Sequence, residues 1–241
     1  DPTPCGDCDF DCKATGNPYR PGEPFDPTQD ICGGLTVQLM EAIPTVVLLI
    51  DQSGSMDADF GNINRLDATY GALMDPTEGL IANLQDRYRF GLALYTSYDG
   101  GPTCPNIRDV RPGFGNFDSI NRVFEQAGPE EDTPTGEAIN GIMRMFDDEP
   151  VRGPKVILLA TDGEPDTCAE PDPQNGQEES IAAAQQAHAR GVETVVLSVG
   201  NEVSEEHLQH MANAGVGKAT ADIDKAPFFR ADNPGALKNT M

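Results

Sequence analysis

The 241-residue chain is poor in basic residues, with 16 lysines and arginines against 40 aspartates and glutamates and a net charge of −24. Because phosphate binding needs a basic surface, this deficit argues strongly against nucleic acid as a partner, and also against anionic membrane surfaces. The chain lacks an apolar run of ~18 residues, so no segment is expected to span a bilayer. The excess of acids leaves two interpretations open, a solubilising surface or a site for a hard cation.

Motifs of common enzyme classes are also missing. The chain has no Walker motif, no G-x-G-x-x-G loop opening a helix and no G-x-S-x-G elbow. His207 and His210 share a helix face, but no neighbouring glutamate completes the zinc-protease pattern. We therefore predict surface or packing roles for these histidines and for His188, and no catalysis.

The N-terminal part is unlike the rest of the chain. Residues 1–30 contain six prolines, three glycines and seven acids against two bases, a composition that buries too little apolar surface to order itself. We predict an irregular extension over residues 1–43 and a globular domain over residues 44–241. Asp7, Asp9 and Asp11 alternate between cysteines, which favours a solvated acidic turn over a calcium loop. The first residues lack the basic-then-apolar pattern of a signal peptide, so we expect any targeting segment to be absent or already removed.

The six cysteines are even in number: Cys5, Cys8, Cys12, Cys32, Cys104 and Cys168. Their setting in segments rich in Pro, Gly and Asp favours three disulfides and an oxidising compartment. A four-cysteine zinc knot at the N-terminus is the alternative, but it leaves Cys104 and Cys168 without a role.

From Thr45 onward, short apolar runs alternate with helical patterns. The segments TVVLLI, RFGLALYTS, VILLAT, VETVVLSVG and APFFRA are predicted strands, and helices with capping signals at Ser204 and Asn233 separate or follow them. IRDV is a candidate returning strand. This alternation predicts an α/β fold with a mostly parallel sheet and helices on both faces. Ligands bind such sheets beyond the carboxyl ends of the strands.

Three loops share carboxylates and hydroxyls without any soft ligand. DQSGS follows the first strand, DTPTG precedes a helix, and TDG follows the strand VILLA. Oxygen sets of this kind suit Mg²⁺, Mn²⁺ or Ca²⁺ rather than zinc or copper. Two carboxylates would only balance a divalent ion, which would keep its attraction for an acidic ligand.

These segments, in this order and context, resemble the von Willebrand factor A family and its metal-ion-dependent adhesion site. The resemblance covers roughly residues 44–241. It implies a doubly wound, mostly parallel sheet with one antiparallel edge strand and helices on both faces, which agrees with IRDV as a returning strand. It also implies five metal-site positions, Asp51, Ser53, Ser55, Thr133 and Asp162, with a further coordination position left to an acidic partner or to water. The whole pattern, including Cys168 shortly after TDGEP, resembles secreted or surface-exposed bacterial members of the family in particular. In this fold Cys104 and Cys168 would both lie near the metal-binding end, which makes a disulfide between them a hypothesis.

Four further acids are expected at the rim of such a site or in a secondary site: Asp57, Asp59, Asp132 and Glu164. Asp132 replaces a glycine found in many relatives. Asp57 and Asp59 fit a second adjacent ion only loosely, so ordinary surface positions are favoured for them. Glu164 and Asp166 are favoured as rim residues.

The resemblance implies an extracellular or cell-surface module whose divalent cation, Mg²⁺ first and Ca²⁺ or Mn²⁺ as alternatives, captures a carboxylate of a protein or matrix ligand. A removed N-terminal segment could have anchored it. An accessory subunit of an ATP-driven chelatase or remodelling complex is one alternative, although disulfides conflict with an intracellular location. A domain whose metal is only structural is the other.

Overall fold

The computed structural model describes residues 42–97, 103–147, 153–170 and 173–240. The N-terminal extension predicted over residues 1–43 lies outside this part of the chain except for its last two positions. The predictions for Cys5, Cys8, Cys12 and Cys32 and for the aspartates between them fall on residues that are not described.

A mostly parallel sheet forms the centre of the described domain. The strands are β1 (Thr45–Asp51), β2 (Asp59–Phe60), β3 (Ile63–Asn64), β4 (Arg89–Thr96), β5 (Asn106–Gly113), β6 (Lys155–Thr161), β7 (Val192–Val199) and β8 (Phe229–Ala231). The large sheet has the order β5-β4-β1-β6-β7-β8, and β5 alone runs antiparallel to its neighbour. The predicted fold class and the returning edge strand, which contains IRDV, are therefore confirmed.

Helices cover both faces of this sheet. They are α1 (Arg65–Met74), α2 (Leu80–Leu84), α3 (Phe117–Phe124), α4 (Thr135–Ile142), α5 (Arg144–Asp147), α6 (Gln177–Ala189), α7 (Glu205–Gly215) and α8 (Pro234–Thr240). Across the described residues, no helix has both the length and the apolar character needed to cross a membrane.

The continuous apolar run of β1 explains why both faces need helices. Successive side chains of a strand point to opposite faces, so such a run exposes apolar surface on each side of the sheet. Val47 and Leu49 pack with α4–α7, whereas Leu48 and Ile50 pack with α1, α2, α3 and α8. All four side chains are fully buried. This two-sided burial fixes β1 at the centre of the sheet, with its carboxyl end between two other strand ends.

Helix ends follow the predicted capping signals. Ser204 accepts a hydrogen bond from the backbone N–H of His207, and Asn233 accepts one from Ala236. Gly191 follows α6 with a positive φ of 79°, a conformation that glycine adopts without strain.

A glycine that closes a helical pattern is typical of the position just past the helix, but Gly215 lies inside α7. It is the last residue of α7, and Gly217 is the following glycine with positive φ. A Cβ on Gly215 would lie 2.2 Å from the carbonyl oxygen of Thr194 in β7. Close packing of the helix against the sheet, rather than termination of the helix, therefore requires this glycine.

Two short features near the end of β1 lack a sequence signal. Residues Gly54–Asp57 form a turn of 3₁₀-helix, and β2 pairs with β3 as a small hairpin whose turn contains Gly61 at φ 79°. Elements of two to four residues are too short for apolar periodicity to reveal them.

Two glycine substitutions test the helix packing. Gly71 lies inside α1, and a Cβ added there would have no neighbouring atom within 4 Å, so Gly71→Ala is expected to stabilise the domain by about 0.5–1 kcal/mol. Gly215→Ala is expected to destabilise it by about 1–3 kcal/mol, because the new methyl group collides with backbone. Urea denaturation of both variants measures the two effects, and equal shifts in the same direction would contradict the packing described for α7.

Candidate metal centre

The loop that follows β1 gathers three of the predicted site residues; we call residues 51–55 the Asp51 loop. Asp51 is fully buried, and its carboxylate accepts hydrogen bonds from the backbone N–H of Ser53 at 2.8 Å and from the Thr161 hydroxyl at 2.7 Å. The hydroxyl oxygens of Ser53 and Ser55 lie 2.9 Å apart. The turn after the strand thus brings alternate side chains to one point.

Asp162 reaches the same point from the neighbouring strand. β6 pairs with β1 in parallel, so the two strands end at the same edge of the sheet. Asp162 is fully buried and accepts a 2.6 Å hydrogen bond from the hydroxyl of Ser55 on one carboxylate oxygen. Its other oxygen accepts a 2.7 Å hydrogen bond from the guanidinium of Arg65.

Thr133 comes from a segment that belongs to neither strand; we call residues 128–134 the Thr133 loop. Two backbone hydrogen bonds tie it to the Asp51 loop, from Glu130 N–H to the carbonyl of Gln52 at 2.7 Å and from Gly54 N–H to the carbonyl of Glu131 at 3.0 Å. The amide of Gln52 also donates to the carbonyl of Gly128 at 2.6 Å. The two loops are therefore paired like a short strip of sheet.

Gly163 shows that the hydroxyls of Ser55 and Thr133 face the same small space. A Cβ on Gly163 would lie 3.4 Å from Ser55 Oγ and 3.8 Å from Thr133 Oγ1. Thr133 is only 2% exposed, and its hydroxyl makes no hydrogen bond within the described residues. Both residues line an open depression of about 370 Å³, together with Glu131, Asp132, Asp166, Pro173 and Gln174.

The donor set fits a small hard cation. Ligands at adjacent corners of an octahedral ion with bonds of ~2.1 Å lie ~3 Å apart, which is close to the 2.9 Å between the hydroxyl oxygens of Ser53 and Ser55. Thr133 adds a hydroxyl that makes no hydrogen bond within the described part of the chain. Within the described ranges no three side chains of His, Cys, Asp or Glu form a metal cluster, so a cation here depends on hydroxyl ligands.

The electrostatics of the two carboxylates favour such an ion. Burial raises the pKa of Asp51 to about 7, and the nearby carboxylate of Asp162 adds to this effect. Burial also raises the pKa of Asp162, although hydrogen bonds from Ser55 and Arg65 oppose the change. Two carboxylates that resist carrying charge together are stabilised in their charged form by a cation between them.

A comparison with protein families identifies the architecture. The family model described as von Willebrand factor type A domain matches residues 45–241. The chain belongs to the von Willebrand factor type A (VWA) family. The predicted family membership is thus confirmed.

Individual relatives agree with this assignment. The chain is 29% identical over 182 residues to Protein NorD of Brucella suis biovar 1 (strain 1330), which covers 76% of this chain and 28% of NorD. The pilus adhesin SpaC of Lactobacillus rhamnosus GG shares the fold with a TM-score of 0.64 at 18% identity, over 84% of this chain and 30% of SpaC. Manganese-loaded TRAP protein of Plasmodium vivax does so with a TM-score of 0.55 at 18% identity, over 82% and 71% of the two chains. The chain therefore spans less than a third of the length of NorD and of SpaC.

The acids after the Asp51 loop lie on the surface of the VWA domain. Asp57 is exposed and accepts a 3.1 Å hydrogen bond from the side chain of Asn64, and Asp59 is exposed in β2. Neither is drawn into the cluster of Asp51, Ser55 and Asp162. Their use for a second ion stays a prediction.

The other two candidate rim acids take part in the framework of the site. Asp132 accepts a 2.6 Å hydrogen bond from the hydroxyl of Ser97. Glu164 accepts hydrogen bonds from the backbone N–H of Ser204 at 2.7 Å and from Gln177 at 3.1 Å. Burial works against the charged form of Glu164, but these hydrogen bonds outweigh it and lower its pKa. Glu164 thereby joins the loop after β6 to the start of α7.

Sequence reasoning missed Arg65 and underestimated Asp166. Arg65 is only 6% exposed and forms ion pairs with Asp162 and Glu202. Asp166 is 3% exposed and clamps Thr133: its carboxylate accepts from the Thr133 N–H at 3.0 Å, and its N–H donates to the Thr133 carbonyl at 2.9 Å. The sequence contained one signal for Arg65: it is the only basic residue between positions 21 and 86.

The structure contains the disulfide between Cys104 and Cys168, with a Cα–Cα distance of 5.5 Å. Cys168 lies two residues after Asp166, and its N–H donates to Glu137 in α4 at 2.8 Å. Cys104 belongs to the connection between β4 and β5, which begins near Ser97, the residue that holds Asp132. The disulfide therefore joins the connection between β4 and β5 to the segment that carries Asp166.

Removal of this disulfide is expected to weaken the domain. The bridge closes a sequence separation of 64 residues, for which the loss of unfolded-chain entropy corresponds to about 2–4 kcal/mol of stability. We expect the double variant Cys104→Ser/Cys168→Ser to show that loss in urea denaturation without reductant. Treatment with reductant should then lower the urea midpoint of the wild type more than that of the double variant. An equal decrease in both would mean that other disulfides provide the stabilisation.

The buried carboxylates give the metal-free domain a defined pH dependence. Because the pKa of Asp51 rises from its ordinary value of 3.8 to about 7 on folding, its contribution to stability is fully present below pH ~4 and is lost as pH rises through ~7. Between pH 5 and 8 the metal-free melting temperature should fall, by roughly 5 °C or more.

Two measurements test this pH dependence. Asp51→Asn should reduce the change of melting temperature with pH. Addition of 5 mM Mg²⁺ should raise the melting temperature more at pH 8 than at pH 5, because protons no longer compete for the carboxylate oxygens at pH 8. A slope unchanged in Asp51→Asn would assign the pH dependence to other groups.

Proposed function

We propose that this VWA domain is an extracellular or cell-surface binding module that captures a carboxylate of a protein or matrix ligand through a divalent cation. The cation would be held by a set of oxygen ligands: Asp51, Ser53, Ser55, Thr133 and Asp162. The observation that carries the proposal is the position of the Thr133 hydroxyl, which makes no hydrogen bond within the described residues and lines the same depression as Ser55. The backbone of Thr133 is held by Asp166, which leaves its hydroxyl directed at the space that Ser55 also faces.

The charges of the site favour an anionic ligand. A bound divalent cation supplies a positive centre that accepts a ligand oxygen. Among the five proposed ligands only Asp51 and Asp162 carry charge, and the hydroxyl ligands are neutral, so the ligand set does not exceed the charge of a divalent ion. The ion would be a positive centre among the acids that line the depression, Glu131, Asp132 and Asp166. A carboxylate is the protein group that such an ion attracts most.

The shape and lining of the depression favour a macromolecular ligand over a small molecule. Small-molecule sites are mostly apolar and bury most of their ligand. Here the walls carry carboxylates and hydroxyls, and Pro173 is the apolar exception. A single side chain that protrudes from a partner fits an opening of this kind, with the surrounding loops in contact with the rest of the partner.

The disulfide supports the location. Cys104 and Cys168 are bonded, and structural disulfides persist in oxidising compartments. This favours the extracellular module over an accessory subunit of an intracellular chelatase or remodelling complex. VWA domains are typically binding modules, which fits a role without catalysis. The fold is shared with a pilus adhesin and with a protein solved in a manganese-loaded form. Mg²⁺ is the preferred ion in the proposal, with Mn²⁺ and Ca²⁺ as alternatives.

Substitution of Thr133 tests the site with minimal change in shape. Thr133→Val keeps the volume and removes the hydroxyl, whereas Thr133→Ser keeps the hydroxyl. We expect isothermal titration with Mg²⁺ and Mn²⁺ to show binding to the wild type, affinity within about threefold for Thr133→Ser, and a loss of about tenfold or more for Thr133→Val. A wild-type domain that takes up neither ion at millimolar concentration would refute the proposal.

Partner capture separates a functional ion from a structural one. Extracellular material passed over the immobilised domain in Mg²⁺ should yield a retained protein that EDTA releases and that Thr133→Val does not retain. Retention that persists in EDTA, together with a lowered melting temperature, would identify a structural ion instead.

A further inference from the structure

Arg65 is a buried cation at the edge of the proposed metal site and is not one of the proposed metal ligands. It is the first residue of α1, where the side chain of Asn64 caps the helix. The guanidinium lies between two acids: Nη1 donates to Asp162 at 2.7 Å, and Nη1 and Nη2 donate to the two oxygens of Glu202 at 2.9 and 2.7 Å. One arginine therefore connects Asp162 with the loop between β7 and α7.

The backbone around Arg65 leaves its guanidinium little freedom. Gly200 adopts φ 93°, and a Cβ there would lie 3.2 Å from three atoms of the guanidinium. The group is thus packed against the backbone on one side and paired with Glu202 along its forked edge. A planar guanidinium held by a bidentate carboxylate has a fixed orientation, which a lysine ammonium cannot reproduce.

Asp162 is consequently fixed at both oxygens. One oxygen accepts from Arg65, and the other accepts from the hydroxyl of Ser55, which itself lies 2.9 Å from the hydroxyl of Ser53. Without the hydrogen bond from Arg65, rotation of the carboxylate would be opposed only from the Ser55 side. Partners that orient a metal-binding side chain in this way commonly change metal affinity by ~10–100-fold when they are removed.

We propose that Arg65 is a positioning residue for the metal site: it orients the carboxylate of Asp162 toward Ser55, and Glu202 holds Arg65 in place. This inference rests on the proposed cation site. It adds that cation affinity depends on a residue outside the ligand set and on an acid in the loop before α7. The alternative is an ion-pair network that stabilises the fold without affecting the cation.

The test compares Mn²⁺ affinity with stability in three variants of the full chain. Arg65→Lys keeps the charge and loses the fork. Glu202→Gln weakens the ion pair that holds Arg65. The Glu202 side chain is 55% exposed, so the fold should tolerate the substitution. Glu205→Gln removes the same charge from an exposed position three residues later and is the matched control. Titration calorimetry gives the dissociation constant for Mn²⁺, electron paramagnetic resonance reports the symmetry of the bound ion, and metal-free melting reports stability.

The proposal predicts a graded result. We expect the dissociation constant to rise about 10–100-fold in Arg65→Lys, about three- to tenfold in Glu202→Gln, and less than twofold in Glu205→Gln, with a changed resonance spectrum in the first two variants. If Arg65→Lys does not fold, the comparison of Glu202→Gln with Glu205→Gln decides the question. Wild-type affinity and spectrum in Glu202→Gln and Arg65→Lys, with lowered melting temperatures alone, would reduce the network to a stabilising role. Absence of Mn²⁺ binding in the wild type would overturn both this inference and the cation site beneath it.

Discussion

The proposed site depends above all on two carboxylates buried side by side at the ends of neighbouring parallel strands. Asp51 ends β1, Asp162 follows β6, and neither is accessible to solvent. Like charges so close together in a medium of low dielectric repel each other strongly. The protein compensates with hydrogen bonds from Thr161 and Ser55 and with the guanidinium of Arg65. A divalent cation would complete that compensation, which is why the pair suggests a cation site.

The neutral part of the site is assembled by contacts between loops. The Thr133 loop belongs to no strand of the sheet, yet it pairs with the Asp51 loop through backbone hydrogen bonds and is clamped by Asp166. The disulfide between Cys104 and Cys168 fixes the segment just after Asp166 to the connection between β4 and β5. These supports restrict the motion of a loop that would otherwise be free to move away, because surface loops have few packing contacts of their own. A hydroxyl ligand is weak by itself, so its contribution requires this fixed placement.

The net charge of −24 limits where on the domain an acidic ligand can bind. An acidic protein repels acidic ligands over most of its surface, and a bound cation reverses the sign of the potential only locally. Capture of a carboxylate would therefore be confined to the depression lined by Ser55 and Thr133. Most other acids then serve solvation. Asp132 and Glu164 are exceptions of another kind, since their hydrogen bonds to Ser97 and Ser204 brace the loops around the depression.

The amino-acid sequence by itself determined the order of the six strands of the large sheet, their alternation with helices, and the three loops that carry the candidate ligands. Apolar runs and capping residues act locally, so their effects can be followed along the chain. It also contained the residues of the proposed site and the cysteine pair. Only the tertiary structure placed Arg65 between Asp162, which is 97 positions away in the sequence, and Glu202, which is 137 positions away. It also brought Asp166 into contact with Thr133. The packing of α7 against β7, and not the termination of a helix, explains why position 215 is a glycine. The physical reason is that these contacts join distant segments, and their partners are selected by the closure of the sheet and its loops rather than by neighbouring residues.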